Sequence, residues 1–362
     1  MSLMGLTELF TPAAIAAYWE ENQSNRIPYL GEGLFPAKKK AGLDLRWIKG
    51  SKGLPVSLMP TAFDAQPTFR DRPGLTITET EMPFFREGFK IKERDRQELL
   101  RIQDSNDPYL NQILSNLFDD ANELIAGADV VAERERMQLL FAAAGEVGIT
   151  IKANGVDYTY DYDANDAWKA TNYFALSGTD LWSASSTADP FGDINTAKNA
   201  VIAATGSEPT IAIMNSTTFN LLSQIDAVKN RFLSTSGIAL GYVSDNDVMR
   251  VFRDTSGITI IVYDKQYKNE SGTASKFVPD GYVALVPDHP IGQTWYGVTP
   301  EEADLLGRRA QNSQVQIVNT GVAIHQRVEE GPPVNLNTFA SEIVLPSYEG
   351  MDEVALLKVA NF

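Results

Sequence analysis

Between Leu110 and Gly145 the apolar residues keep a helical rhythm longer than any other in the chain. Leu110, Ile113, Leu114, Leu117, Phe118, Ala121, Leu124, Ile125 and Ala128 recur at steps of three and four, which places them on one helical face. The pattern persists through Met137, Leu140 and Phe141. Asp107-Pro108 supplies a start signal and Gly145 a C-terminal cap. An unbroken helix of this span is about 55 Å long at ~1.5 Å per residue, too long for an ordinary small domain. Gly127 is the natural place for a bend.

A second stretch, Ile258 to Pro287, carries a complete strand, tip and strand pattern. Ile258 to Tyr263 is β-branched and aromatic, Lys268 to Ser275 is polar around Gly272, and Tyr282 to Val286 resumes the sheet. Phe277-Val278-Pro279-Asp280-Gly281 sets a turn, with Pro279 fixing φ and Gly281 tolerating φ > 0. Ile258–Tyr263 and Tyr282–Val286 are expected in one sheet.

Other elements follow from local signals. Thr11-Pro12 starts a short helix to about Glu21. Gly148 to Asp163 reads as a hairpin turning at Asn154-Gly155, with Tyr158, Tyr160 and Tyr162 on one face as packing residues. Asp189 to Thr205 is a capped helix, Thr210 to Met214 a buried strand, and Thr217 to Phe232 a helix with Phe219, Leu222, Ile225 and Val228 on its apolar side. Gln314 to Gln326 alternates as a strand, Glu329 to Asn337 is a linker, and Ala340–Leu345 and Val354–Val359 are final strands.

VYDKQY, the polar tip, KFVPDGYVALVP and Tyr296-Gly297-Val298-Thr299-Pro300-Glu301 together resemble the major capsid protein family of lambda-type tailed bacteriophages. ADPFGDI at Ala188 to Ile194 and MNSTTFNLLSQIDAVKNRFL at Met214 to Leu233 resemble it in the same order, and the long helix fits its place. The resemblance spans the chain from about Leu30 onward. It implies an α+β chain with the tailed-phage major capsid fold of the Hong Kong 97 phage type. The implied parts are an N-terminal arm (1–53), an extended β-hairpin loop (54–90) and a peripheral domain with a spine helix (91–188). An axial α+β domain (189–306) and returning strands, mainly of the peripheral domain (307–362), complete it.

The implied role is a structural subunit of a phage or prophage icosahedral capsid, its copies forming pentamers and hexamers around a DNA genome. Scaffold and head-decoration proteins would be further partners, with assembly in the host bacterial cytoplasm. An encapsulin-like compartment shell is the alternative with the same fold.

Composition agrees with a structural role. The chain has no cysteine, which removes disulfides, thiolate metal sites and cysteine nucleophiles. Its two histidines, His289 and His325, are too few for imidazole metal chemistry and are expected as ordinary packing or surface residues. No phosphate-cradling loop of the G-x-x-x-x-G-K-[ST] type and no G-x-S-x-G elbow occur, and Gly31-Glu32-Gly33 lacks the third glycine of a dinucleotide site. Asp161, Asp163 and Asn165 fail as a calcium loop, because Asp166 stands where Gly is required and Asn172 where Glu is required. No catalytic, cofactor or metal residue is assigned, and an acidic hydrolase or a nucleic-acid binder is disfavoured. No apolar run is long enough for a membrane span, and the N-terminus lacks a secretion signal.

Net charge of −16 opposes binding to DNA over most of the surface, so a genome would be enclosed without specific recognition. The charge is uneven. Lys38, Lys39, Lys40, Arg46, Lys49 and Lys52 stand against Asp44, a local +5 that leaves −21 elsewhere. Aromatic residues on the Pro-rich segments that follow suit anchors for a neighbour. The assembly candidates are therefore those six basic residues with Trp47, Phe63, Phe69, Arg70, Arg72, Phe84 and Phe85, on segments expected to bury little within their own subunit.

Overall fold

The computed structural model describes residues 10–23, 28–49, 76–93, 109–153, 155–236, 243–306, 314–329 and 335–362. The long helix forms from Tyr109 to Leu140 and continues through Gly127 without interruption. Its expected start at Asp107-Pro108 lies outside the described residues. It stops at Leu140, five residues before the expected cap Gly145. Ala143–Gly145 is a short 3-10 turn in which Ala144 and Gly145 take φ of 53° and 80°, values no α-helix continues through.

Two sheets receive the rest of the chain. The first has six strands. Its order is β1 (Ala37–Lys39), β13 (Gln293–Tyr296), β16 (Asn335–Ser347), β15 (Val322–Glu329) and β14 (Gln314–Val318), with β4 (Phe84–Ile91) also paired to β16. β16 is buried at every position except partly exposed Phe339, as expected of a strand covered on both faces. One face meets the long helix, where Ala132 packs with Tyr296 and Val344. The N-terminal helix, Pro12–Gln23, closes one end: Phe10, Ile15 and Trp19 pack with Ile91, Ile125, Val318 and Leu336.

The second sheet has five strands, in the order β7 (Tyr173–Ala175), β17 (Ala355–Lys358), β12 (Tyr282–Val286), β8 (Ile211–Met214) and β9 (Thr259–Val262). β9 runs parallel to β8 and β12 antiparallel to it, so the two runs expected in one sheet flank a third strand between them. Helices Pro190–Thr205 and Asp245–Ser256 cover it, with Phe191 stacked on Phe252 at 4.4 Å. Three two-stranded ribbons project from these layers: β2 (Asp44–Lys49) with β3 (Thr76–Glu81), β5 (Gly148–Ala153) with β6 (Val156–Asp161), and β10 (Gln266–Lys268) with β11 (Ala274–Lys276).

Several expectations are corrected. The helix expected over Thr217–Phe232 is two, Ser216–Gln224 and Asp226–Ser236, separated by Ile225 in an extended conformation. The single strand expected over Gln314–Gln326 is a tight hairpin, because Asn319 takes φ 54° and reverses the chain into β15. Asn335–Asn337, expected in a linker, begin β16. The expected domain limits are crossed by several strands: β7 lies before residue 188 yet pairs with β17 in the five-stranded sheet. β13 lies before residue 306 yet pairs in the six-stranded sheet, while β17 lies after it and pairs with β12.

The largest correction concerns the first 53 residues, expected to bury little in their own subunit. Phe10, Ile15, Trp19 and Phe35 have no exposed surface, and Leu45 and Trp47 are also buried. The reason is non-local. Each short apolar patch meets the long helix or a sheet that lies far away in sequence.

Candidate assembly surface and the hub beneath it

The basic segment is divided by pairing. β1 lies parallel to β13, with Lys38 opposite Trp295 and Lys39 opposite Tyr296. Lys38 places its ammonium 5.6 Å from the Trp295 ring centre. Lys39 forms an ion pair with Glu302 at 2.6 Å, and Lys40 Nζ donates to the Asp44 carbonyl at 2.6 Å. All three are thus bound to their own subunit while the β1 residues keep exposed surface.

β2 and β3 are antiparallel, from Asp44 opposite Glu81 to Lys49 opposite Thr76. The expected boundary between arm and loop, at residue 53, therefore falls inside one ribbon. Alternation sends Leu45 and Trp47 inward and Arg46 outward. Trp47 stacks on Tyr162 at 5.3 Å, Tyr160 Oη donates to the Glu81 carbonyl at 2.9 Å, and Met82 N–H donates to the Leu43 carbonyl at 2.9 Å. These contacts fix the root of the ribbon. Lys52, Phe63, Phe69, Arg70 and Arg72 lie outside the described residues.

Phe84 and Phe85 open β4 and are half-buried. The Arg86 guanidinium sits 4.7 Å from the Phe84 ring centre and pairs with Glu301, while Phe85 meets Tyr158 edge-on at 6.0 Å. Arg46 remains exposed on the outer face of β2, and Lys49 belongs to the same strand. The structure thus brings Trp47, Phe84 and Phe85 to the body of the subunit rather than leaving them free.

Beneath this surface lies a polar hub that sequence reasoning missed. Glu133, on the long helix, has no exposed surface. Its Oε1 accepts from Gly31 N–H at 3.1 Å and from Tyr263 Oη at 2.9 Å; its Oε2 accepts from Arg136 at 3.2 Å. Arg136 Nε donates to Thr294 Oγ1 at 2.8 Å, and Thr294 Oγ1 donates to the Phe35 carbonyl at 2.8 Å. One buried carboxylate therefore links the start of the chain, the long helix, the end of β9 and strand β13. Burial pushes the Glu133 carboxyl up; Arg136, the Gly31 N–H and the Tyr263 hydroxyl act against it. Burial first, and Glu133 second, raise the Tyr263 phenol.

A second tie runs beside it. Arg134 pairs with Glu270 in the tip between β10 and β11 and lies 5.5 Å from the Tyr267 ring centre. The polar tip around Gly272 is exposed and is also tied to the long helix through Glu270.

The histidines are apart from both features. His289 Nε2 lies 2.7 Å from Glu353 Oε2 on the surface. His325 stacks on Phe339 at 6.2 Å, and burial lowers its pKa. Among the described residues no group of three or more His, Asp or Glu side chains is arranged to hold a metal ion, and no helix is long and apolar enough to cross a membrane.

A family model described as phage major capsid protein E matches residues 11–317. In structure, the chain is similar to a protein assigned as the capsid protein of a prophage of Escherichia coli CFT073, with a TM-score of 0.60 at 12% identity over 97% of this chain and 99% of that one. It is also similar to a phage-related protein from Bordetella bronchiseptica RB50, with a TM-score of 0.56 at 14% identity over 97% of each chain. No curated protein matches it in sequence.

Proposed function

This chain belongs to the phage major capsid protein E family, and from that premise we propose that its copies close into an icosahedral shell of pentamers and hexamers around a DNA genome. The protein is a structural subunit of a phage capsid, with the tailed-phage major capsid fold. The observation that carries this is the family match over 307 of the 362 residues, from 11 to 317. Closing rings of five and of six from one chain requires head-to-tail contacts that tolerate two angles, not a single two-fold patch. The six-stranded sheet with the long helix suits the peripheral unit, and the five-stranded sheet with its helices suits the axial one.

The contacts between copies fall to the ribbon of β2 and β3 and to the segment between them. Its root is fixed to the body of the subunit by Trp47 and Tyr160. Arg46 and Lys49 of β2, with Lys52, Phe63, Phe69, Arg70 and Arg72 of the segment between the strands, supply positive charge and aromatic anchors for an acidic neighbour. Scaffold and head-decoration proteins would bind the assembled surface, and assembly would take place in the bacterial host before the virion is complete. The acidic balance of the chain supports enclosing DNA without gripping it.

The family match favours this over an encapsulin-like compartment built on the same fold. Electron microscopy of the purified chain tests both: closed shells, tubes or rings are expected. A chain that stays monomeric at every concentration contradicts self-assembly, and shells that copurify with a cargo enzyme instead of DNA would favour the compartment.

A further inference from the structure

Two residues beyond Glu133 on the same helix lies a second buried carboxyl with the opposite circumstances. Glu135 has 0% exposure, and Glu342, in the middle of β16, has 1%. Neither carboxyl has a hydrogen-bond partner for either oxygen among the described residues. Glu342 stands opposite Phe85 of β4, two residues from Val344, which packs on Ala132 of the long helix. Both acids thus occupy the seam where the long helix lies on the six-stranded sheet.

The charges around the pair compensate it only in part, Arg134 and Arg136 favouring the ionised form of Glu135 and Arg136 that of Glu342, against burial. From the helix itself come Asp129, Arg134 and Arg136. Arg136 is committed to Glu133 and Thr294, and Arg134 to Glu270. From β6 and its end come the phenols Tyr160 and Tyr162, and from β13 Tyr296, all of which a charge on Glu135 pushes up. An ionised carboxylate stranded without partners in such surroundings is far costlier than a neutral one, and two close together cannot both ionise freely.

We propose that Glu135 and Glu342 form a proton-binding site that latches the long helix to the six-stranded sheet. With both carboxyls neutral the layers close on each other. Loss of a proton obliges them to part far enough to admit water or a counterion. Burial is the main cause holding both carboxyls well above their ordinary value, and the mutual charge adds to it at Glu135. The native state therefore keeps protons that the unfolded chain gives up near 4.5. Stability from this seam is complete below that value and is lost as pH rises through the native one.

The test uses the full chain. Thermal unfolding is followed from about pH 5 to about pH 8 for wild type, Glu135→Gln, Glu342→Gln and the double variant, glutamine standing in for the neutral acid. The melting point of each glutamine variant relative to wild type is expected to rise with pH, by at least about 2 °C over the range. Curves that run parallel overturn the proposal. Hydrogen exchange on wild type alone gives an independent reading, should the variants not fold. Corrected for the intrinsic rate, protection of amides in 129–140 and 340–345 is expected to fall as pH rises while that of β8 and β12 holds. Protection that changes in step across both sheets overturns it.

Discussion

Tyr263 donates its hydroxyl to Glu133 Oε1 at 2.9 Å, and through that bond the end of β9 is tied to the C-terminal part of the long helix. The same carboxylate holds Arg136, which has almost no exposed surface. Removing the two partners should therefore have unequal effects. Tyr263→Phe leaves Glu133 with Gly31 and Arg136, and should cost about 1 kcal/mol. Glu133→Ala strands a buried guanidinium and should cost about 3–5 kcal/mol. Chemical denaturation of the two variants checks this; equal losses would mean that Arg136 finds another partner.

Gly31 matters for a steric reason. A methyl group there would lie 2.5 Å from Glu133 Oε2 and 2.7 Å from Arg136 Cδ. Those side chains are held by the bonds of the hub and cannot simply swing aside. Gly31→Ala should cost about 1–3 kcal/mol, as overpacking does. The loss should not add to that of Glu133→Ala, because both act on one contact set. A double-mutant cycle measures the coupling, and full additivity would place Gly31 outside the hub.

How much of this was legible in the sequence depends on distance along the chain. The long helix, the hairpin Gly148–Asp161 and the capped helix from Pro190 are local patterns and were readable as such. Ile225 was not, since it is buried either way and its apolar spacing continues across the break between helices. The helix Asp245–Ser256 left a signal that went unread: Ser244 and Asp247 form a reciprocal cap, and Gly257 ends the helix at φ 67°. The hub had no signal at all. Its members Gly31, Glu133, Tyr263 and Thr294 meet only through tertiary folding, and one acid among 47 does not announce its partners. Trp47 was visible as an aromatic on a polar segment, but its partner Tyr162 could not be known from spacing.

Ile260 lies in β9 with 6% exposure, in the parallel register opposite Ala212. Ile260→Asp buries a charge with no partner and should cost roughly 3–5 kcal/mol, a large share of a domain's whole margin. Thermal melting decides it, and an unchanged midpoint would mean that β9 can turn this position to solvent.

Glu329 predicts a dependence on acid. Asn335, Asn337 and Lys90 all donate to its carboxylate, which holds its pKa down to about 2. A depressed carboxyl stabilises the fold above its unfolded value of 4.5, and that contribution is lost as pH falls towards about 2. Glu329→Gln should therefore melt below wild type at neutral pH and converge with it in acid. A gap between the two that stays constant down to about pH 2 would show that the three bonds do not favour the ionised form.

Assembly can now be separated from folding more sharply than a deletion of the first 53 residues would allow. That deletion removes Phe10, Ile15, Trp19, Phe35, Leu45 and Trp47, all buried, and should abolish folding. Trp47→Ala alone should cost about 3–5 kcal/mol, because the ring fills a place against Tyr162 in its own subunit. Replacing residues 50–75 by Asn-Gly is different. It joins Lys49 to Thr76, which already stand opposite each other, through a turn whose backbone suits an antiparallel ribbon. The shortened chain keeps the described contacts of the ribbon root and should melt close to wild type. It loses Lys52, Phe63, Phe69, Arg70 and Arg72 together, and with them the charge and aromatic side chains proposed above as anchors for a neighbour. Sedimentation should find it monomeric where the intact chain forms shells. Added salt should weaken assembly of the intact chain as the screening length falls below ~8 Å. Shells from the shortened chain would move the assembly contacts to the body of the subunit, and a shortened chain that cannot fold would make the segment part of the core.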